Sequence, residues 1–292
     1  MKTRTARLAL VGLVAAFATV AAACAPDAPP PWEPPAPVNW SFKGTNVTVN
    51  NSQDETCVII CVNKEDEPYL LQVAFRVRIG QPGSADAWVV KGDSLANLGA
   101  GDSATLTGGQ QAKVTFNGVQ PLDILSALNP ANKMDVVGVY TWAAEEDSIN
   151  SLSVGANATA NVFKNALNAT LAAGTLPNQD ANALVSMVFD ALFSNISNPF
   201  AMLASNLPCL GLCDDVLGGA VYVGIGATGA LAGIMDAALA STTVPAISIP
   251  VLTVPPDIQG GGFFTLGSTK NFSQTFSGAD GVHTYGFQSG PA

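Results

Sequence analysis

Val73-Ala74-Phe75-Arg76-Val77-Arg78-Ile79 alternates branched or aromatic apolar residues with alanine and two arginines. A period of two is the mark of a β-strand with one apolar face, so this stretch predicts a half-buried strand. Working outward, Val47 and Val49, Trp88 to Val90, Val114 to Phe116 and Val136 to Trp142 predict further short strands. Gly-Gln-Pro-Gly at 80–83 and Thr-Gly-Gly at 107–109 supply the punctuation between them. The style returns at the C-terminus. Asn271 to Phe276 and Val282 to Phe287 alternate on either side of Ser-Gly-Ala-Asp-Gly, which predicts a hairpin with a glycine-containing loop. Strands near both chain ends commonly pair. The expectation is therefore an α+β fold: an antiparallel β-sandwich formed by the N- and C-terminal strands, interrupted by a helical insertion.

The insertion is defined by what it lacks. Residues 148–256 contain six charges, Lys164, Asp180, Asp190, Asp214, Asp215 and Asp236, where average composition would place roughly 27. Phe163, Ala166, Leu167 and Leu171 make one helical stripe, and Leu184, Met187, Val188, Ala191 and Leu192 make another. Val185, Phe189 and Phe193 carry apolar surface most of the way round the second helix, which predicts burial. Asn198-Pro199 reads as the cap and first turn of a third. Val216 to Met235 has no charge and six glycines. Each glycine weakens a helix by about 1 kcal/mol against alanine, so a buried helix is favoured there over a partner-facing helix or a membrane span. The expected boundaries are 39–147 for the β part, 148–245 for the helical insertion and 246–292 for the C-terminal strands that complete the sandwich.

The N-terminus belongs to export. Lys2, Arg4 and Arg7 precede an apolar run from Leu8 to Val20, followed by Ala21-Ala22-Ala23-Cys24. The run falls short of the roughly 20 residues of a membrane span, so residues 1–23 read as a signal peptide. Small residues ahead of a cysteine resemble the lipobox of bacterial lipoproteins, although Ala21 stands where a larger branched residue is usual. The resemblance implies that Cys24 becomes an acylated N-terminus, and the alternative is ordinary signal-peptidase cleavage with full secretion. Residues 24–38 carry seven prolines between Pro26 and Pro37. This tract predicts an extended spacer of about 3.1 Å per residue, on the order of 40 Å over thirteen residues.

Removal of residues 1–23 takes away three basic residues, leaving 9 basic and 22 acidic, net −13. That balance excludes a nucleic-acid partner, which needs clustered Lys and Arg, and it repels anionic headgroups. Charged residues make up only 12% of the chain and hydrophobic ones 48%, the opposite of the bias that keeps chains disordered.

Five cysteines is an odd number for an exported protein. Giving Cys24 to lipid leaves Cys57, Cys61, Cys209 and Cys213. Residues four apart lie about 6 Å apart on a helix, inside the disulfide window, and about 13 Å apart on a strand, outside it. Local bridges Cys57–Cys61 and Cys209–Cys213 are favoured over two bridges between the β and helical parts, although Thr-Cys-Val-Ile-Ile-Cys-Val looks like a strand.

Three motifs invite chemistry. Gly224-Ile-Gly226-Ala-Thr-Gly229 matches a dinucleotide fingerprint by letter but lacks an acid about 20 residues on, so no cofactor is expected. His283, the only histidine, shares a strand face with Tyr285 and Phe287 and reads as structural rather than catalytic. Asp54-Glu55, Glu65-Asp66-Glu67 and Glu145-Glu146-Asp147 read as solvated loops before they read as calcium ligands. No catalytic, cofactor or metal residue is assigned. The functional expectation is a non-catalytic binding or structural module of the envelope, held to the membrane through acylated Cys24. The alternative is a carrier of an apolar ligand, or a membrane-active or oligomerising protein, using helices 148–245. An exported hydrolase comes third.

Overall fold

The computed structural model describes residues 32–52, 66–146, 152–175, 181–193, 215–240, 242, 244, 258–278 and 281–292. Cys24, Cys57, Cys61, Cys209 and Cys213, and with them the lipidation and disulfide expectations, lie outside the described residues. So does the helix expected at Asn198-Pro199.

Among the described residues, ten strands and three α-helices run in chain order: β1 (Val38–Ser52), β2 (Pro68–Arg78), β3 (Asp86–Lys91), β4 (Ser103–Thr105), β5 (Val114–Val119), β6 (Asp135–Glu145), α1 (Leu152–Ala169), α2 (Ala181–Phe193), β7 (Asp215–Ile225), α3 (Gly229–Leu239), β8 (Ile258–Thr265), β9 (Lys270–Ser277) and β10 (Gly281–Pro291). They form a β-rich α+β fold with two sheets. In the first, the order is β4-β1-β10-β9, with β5 also paired to β1. In the second it is β3-β2-β6-β7-β8. The chain ends meet as antiparallel neighbours from Trp40 opposite Pro291 to Ser52 opposite Gly281. The expected C-terminal hairpin is β9–β10, in register from Val282–Ser277 to Ser289–Lys270.

Side-chain alternation sorts the core into two layers. From the second sheet, Leu70, Ala74, Val137, Val139, Ala143 and Tyr222 share one cluster with Trp40, Phe42, Val47, Phe276, Tyr285 and Phe287 of the first sheet. Ring contacts knit the sheets together: Phe42 to Tyr222 at 4.8 Å and Tyr222 to Phe287 at 5.1 Å between centroids. The opposite face of the second sheet packs Leu71, Val73, Phe75, Tyr140, Val221 and Val223 against Phe163 and Leu167 of α1, Leu184 and Val188 of α2, and Met235 of α3.

This layering corrects three expectations. The strand over Val73–Ile79 is not half-buried. β2 is buried on both faces apart from Arg76 and Arg78, because the residues alternating with Val73, Phe75 and Val77 face the other sheet. Nor is Val216 to Met235 a helix. Its first half is β7, which is buried along its described length and sits between β6 and β8; only its second half enters α3. A short continuous apolar run rich in valine and tyrosine suits a strand covered on both faces, and the glycines that disfavour a helix let neighbouring chains approach. Gly224 illustrates this: a Cβ there would lie 2.2 Å from the Phe264 ring. Residues 148–245 are therefore not purely helical. The sheets are not purely antiparallel either, since β7 and β8 run parallel with α3 in the connection between them. No helix among the described residues is long and apolar enough to cross a membrane.

Candidate functional site

One end of the described chain meets one loop. β5 is followed by Gln120, and a tight turn runs from Asp123 into a single 3₁₀ turn, Ser126–Leu128. The turn builds itself from short polar side chains. Asp123 Oδ1 accepts from the backbone N–H groups of Leu125 (3.1 Å) and Ser126 (2.8 Å), and Ser126 Oγ accepts from Asp123 N–H at 2.9 Å. An aspartate or serine that satisfies its own neighbours' amides in this way is a strong local turn former. Underneath, Leu122 is buried and bridges to Ala227, so the loop is fastened to the start of α3. Leu122 and Ala127 pack against the core, and the larger apolar side chains between and beyond them point out.

Ile124, Leu125 and Leu128 are 43%, 48% and 52% exposed, and Trp32 beside them is 56% exposed. These four, with Ile234 on α3, are the large apolar side chains left in solvent among the described residues. Trp32, Leu125, Leu128 and Asn129 line a surface cleft of about 420 Å³. Trp32 stays there because its backbone is tied down. Asn132 Nδ2 donates to the Trp32 carbonyl and, at 2.8 Å, to that of Ser126. Gln120 Nε2 donates to the Pro35 carbonyl at 2.8 Å. The proline-rich tract is therefore not a free spacer through residue 38, since from Trp32 onward it is part of the body. Of the thirteen residues, the seven from 25 to 31 lie outside the described residues.

A second polar constellation lies between the sheets. β10 points His283, Tyr285 and Phe287 inward, as their shared parity predicts, and His283 has no solvent exposure. Its Nε2 lies 2.7 Å from Oδ2 of Asp66, which is equally buried. Neither His283 Nδ1 nor Asp66 Oδ1 has a hydrogen-bond partner. Tyr285 donates weakly to the Tyr69 carbonyl at 3.4 Å, and burial, together with Asp66 and Glu145, pushes its phenol well above the ordinary tyrosine range. Gln72 and Thr141 face each other across β2 and β6, buried on the same side, and their side-chain polar atoms have no partner. An imidazole on a carboxylate is two thirds of a nucleophile triad. Here both groups are sealed from solvent, and their geometry is that of a core pair. Sequence reading placed Asp66 in a solvated acidic loop. The corrective signal was available, because a lone histidine on the inner face of a strand needs a partner.

The other acidic residues also find partners. Glu145 is buried, and Glu146 accepts from Lys91 Nζ at 2.6 Å and from Ser94 Oγ. Those two bonds, Lys91 first, hold the Glu146 carboxyl below the usual range. Asp54, Glu55, Glu65 and Asp147 lie outside the described residues. Among those described, no group of three or more potential ligands converges on one point. Asp135, fully buried at the start of β6, accepts from Arg76, from Arg78 Nε at 2.7 Å and from Gln120 N–H at 2.8 Å. This cluster is hydrogen-bonded throughout and staples β2 to β6 and to the strand end that leads into the exposed loop.

The glycine motif at 224–229 does sit between a strand and a helix, in a β-α-β connection. Its glycines, however, approach the protein itself. Gly224 faces the Phe264 ring, and a Cβ on Gly226 would lie 2.5 Å from the Asp135 carbonyl and 2.9 Å from that of Gln120. Gly226 O and Thr228 N–H are both bonded to Leu122. The room that a pyrophosphate takes in a dinucleotide fold is filled here by the segment 120–135. A further cleft of about 590 Å³, lined by Leu171, Gly174, Ala183, Met187, Asp190 and Ala191 among others, opens between α2 and the turn that follows α1. No protein-family model, no curated protein and no solved structure matches the chain.

Proposed function

We propose that this chain is an exported bacterial envelope protein, anchored by an acyl group on Cys24, whose body is a β-sandwich serving as a non-catalytic binding or structural module. The observation that carries the reading is the junction at Trp32. A signal-like segment and a cysteine lead through a proline tract into a backbone clamped by Gln120 and Asn132. A clamp of that kind begins the folded body at Trp32, with seven residues between it and Cys24. The sandwich is supported by the aromatic and aliphatic cluster shared by the two sheets, the arrangement in which two antiparallel sheets bury their inner faces. Mass spectrometry of the mature N-terminal peptide tests the anchor. The expected result is a diacylglycerol-modified Cys24, and an unmodified cysteine or a free amine further along the chain overturns it.

One observation favours a second reading, that of a carrier for an apolar ligand. The cleft of about 590 Å³ between α2 and the turn after α1 falls within the roughly 300–1,000 Å³ of small-molecule sites, and Leu171, Met187 and Ala191 give it an apolar wall. Organic extraction of the purified protein followed by lipid mass spectrometry separates the two. A stoichiometric extracted lipid other than the N-terminal acyl group supports the carrier, and clean protein supports the plain module.

A further inference from the structure

From the exposed loop at 124–128 and its contact with the N-terminal tract, we infer that Trp32, Ile124, Leu125 and Leu128 form a membrane-contact surface that seats the body on the bilayer holding its anchor. This rests on the proposed acylation of Cys24. Trp32, Leu125 and Leu128 around one cleft, with Ile124 exposed on the same loop, call for a cover, and the position of the chain end identifies it. Only seven residues separate Cys24 from Trp32, and the covalent reach of the eight steps between them is at most about 29 Å. An acyl chain at Cys24 therefore keeps this loop close to the membrane surface whatever path those residues take. A tether that short gives the loop a high effective concentration at the bilayer, so a small apolar surface suffices to engage it.

The composition of the patch fits lipid. Trp32 pairs an apolar ring with an indole N–H suited to the headgroup layer, while leucine and isoleucine side chains suit the acyl boundary beneath. Trp32, Ile124, Leu125, Leu128 and Asn129 carry no charge. Two acids border them: Glu33, exposed beside Trp32, and Asp123, which turns one carboxylate oxygen inward onto Leu125 and Ser126 N–H. With a net charge of −13 outside the signal segment, attraction to anionic lipid cannot hold the body down, so the contact has to be apolar.

The test uses the acylated full-length mature protein in vesicles of phosphatidylcholine, with and without brominated acyl chains. Trp40 and Trp142 are buried and Trp88 packs edge-on against Phe116, so Trp32 supplies the lipid-accessible emission, isolated by comparison with Trp32→Phe. The expected result is quenching of the Trp32 component by at least twofold in brominated vesicles. Leu125→Asp and Leu128→Asp should abolish it without changing the circular dichroism spectrum. Equal emission in both vesicle types overturns the inference, as does quenching that survives both aspartates. If a second copy of the chain covers the patch instead, Trp32 stays unquenched and Leu128→Asp halves the mass seen by light scattering, which also overturns it. Mass spectrometry of the same preparation keeps the outcomes separate. Acylated Cys24 without quenching removes the surface and leaves the anchor, whereas unmodified Cys24 removes both.

Discussion

His283 and Asp66 illustrate how an interior polar pair is held. Burying either group alone leaves an uncompensated polar or charged side chain, and breaking such a pair costs about 3–5 kcal/mol. His283→Ala is expected to lower unfolding free energy by about that amount in urea titrations, and Asp66→Asn added to it should cost much less than a second such loss. A single-variant loss under about 1 kcal/mol would show that the pair is dispensable. Thr141 makes the opposite case. Its hydroxyl is buried and unpartnered opposite Gln72, and an unsatisfied polar group costs about 1–3 kcal/mol. Thr141→Val keeps the shape and removes the hydroxyl, so its midpoint of thermal unfolding should rise by a few degrees; a fall would mean that the hydroxyl is bonded in solution. None of this was visible from the alternation of β2 and β6, which reports which face a residue takes but not what stands opposite.

Between elements, the polar staples hold strand edges and ends. Lys91 on β3 and Glu146 just past β6 bind each other, and Lys91 also lies 4.4 Å above the Tyr69 ring. Because the Glu146 carboxyl is held below its unfolded value, its contribution is complete above the ordinary carboxylate range and disappears as pH falls through the depressed value. The groups are partly solvated, so the contribution is under about 1 kcal/mol. Glu146→Gln should therefore be slightly less stable than the native chain at pH 7 and indistinguishable from it near pH 2, read from chemical denaturation at both. A constant difference across that range would contradict the assignment. The stretch from Val216 shows where element reading fails. Helix and buried strand share a continuous apolar pattern, and β7 is distinguishable only through its valines and glycines and through the β6 and β8 edges that receive it.

Across the molecule, three phenols report on the integrity of both core layers. Tyr140 lies on the helix side of the second sheet, Tyr222 and Tyr285 between the sheets, and burial pushes all three above the usual tyrosine range. The folded state therefore resists losing these protons while the unfolded state loses them near pH 10, so stability falls as pH rises beyond that point, by about 1.4 kcal/mol per pH unit per phenol. In an alkaline titration, phenolate absorbance from these residues should appear together with loss of circular dichroism rather than before it. Ionisation of all tyrosines in a still-folded protein would place them at the surface. The charge-poor middle stretch obeys the same logic of shelter. Wherever it is described, it contributes β7 to the second sheet and α1, α2 and α3 to the layer over it, where six charges among 109 residues are no handicap.

Local patterning was enough to establish the proline tract, the β-rich ends, their mutual pairing and the two helical stripes. Each of these depends on a period, a composition or a short covalent reach that neighbouring residues carry among themselves. Other features emerged only once the chain was packed. These are the second covered face of β2, the strand identity of β7, the parallel β7–β8 pair, the partner of His283, and the docking of Trp32 beside Leu125 and Leu128. They depend on which distant backbone edges and side chains come together, and burial on a second face or a hydrogen bond across 217 residues leaves no periodic trace along the chain.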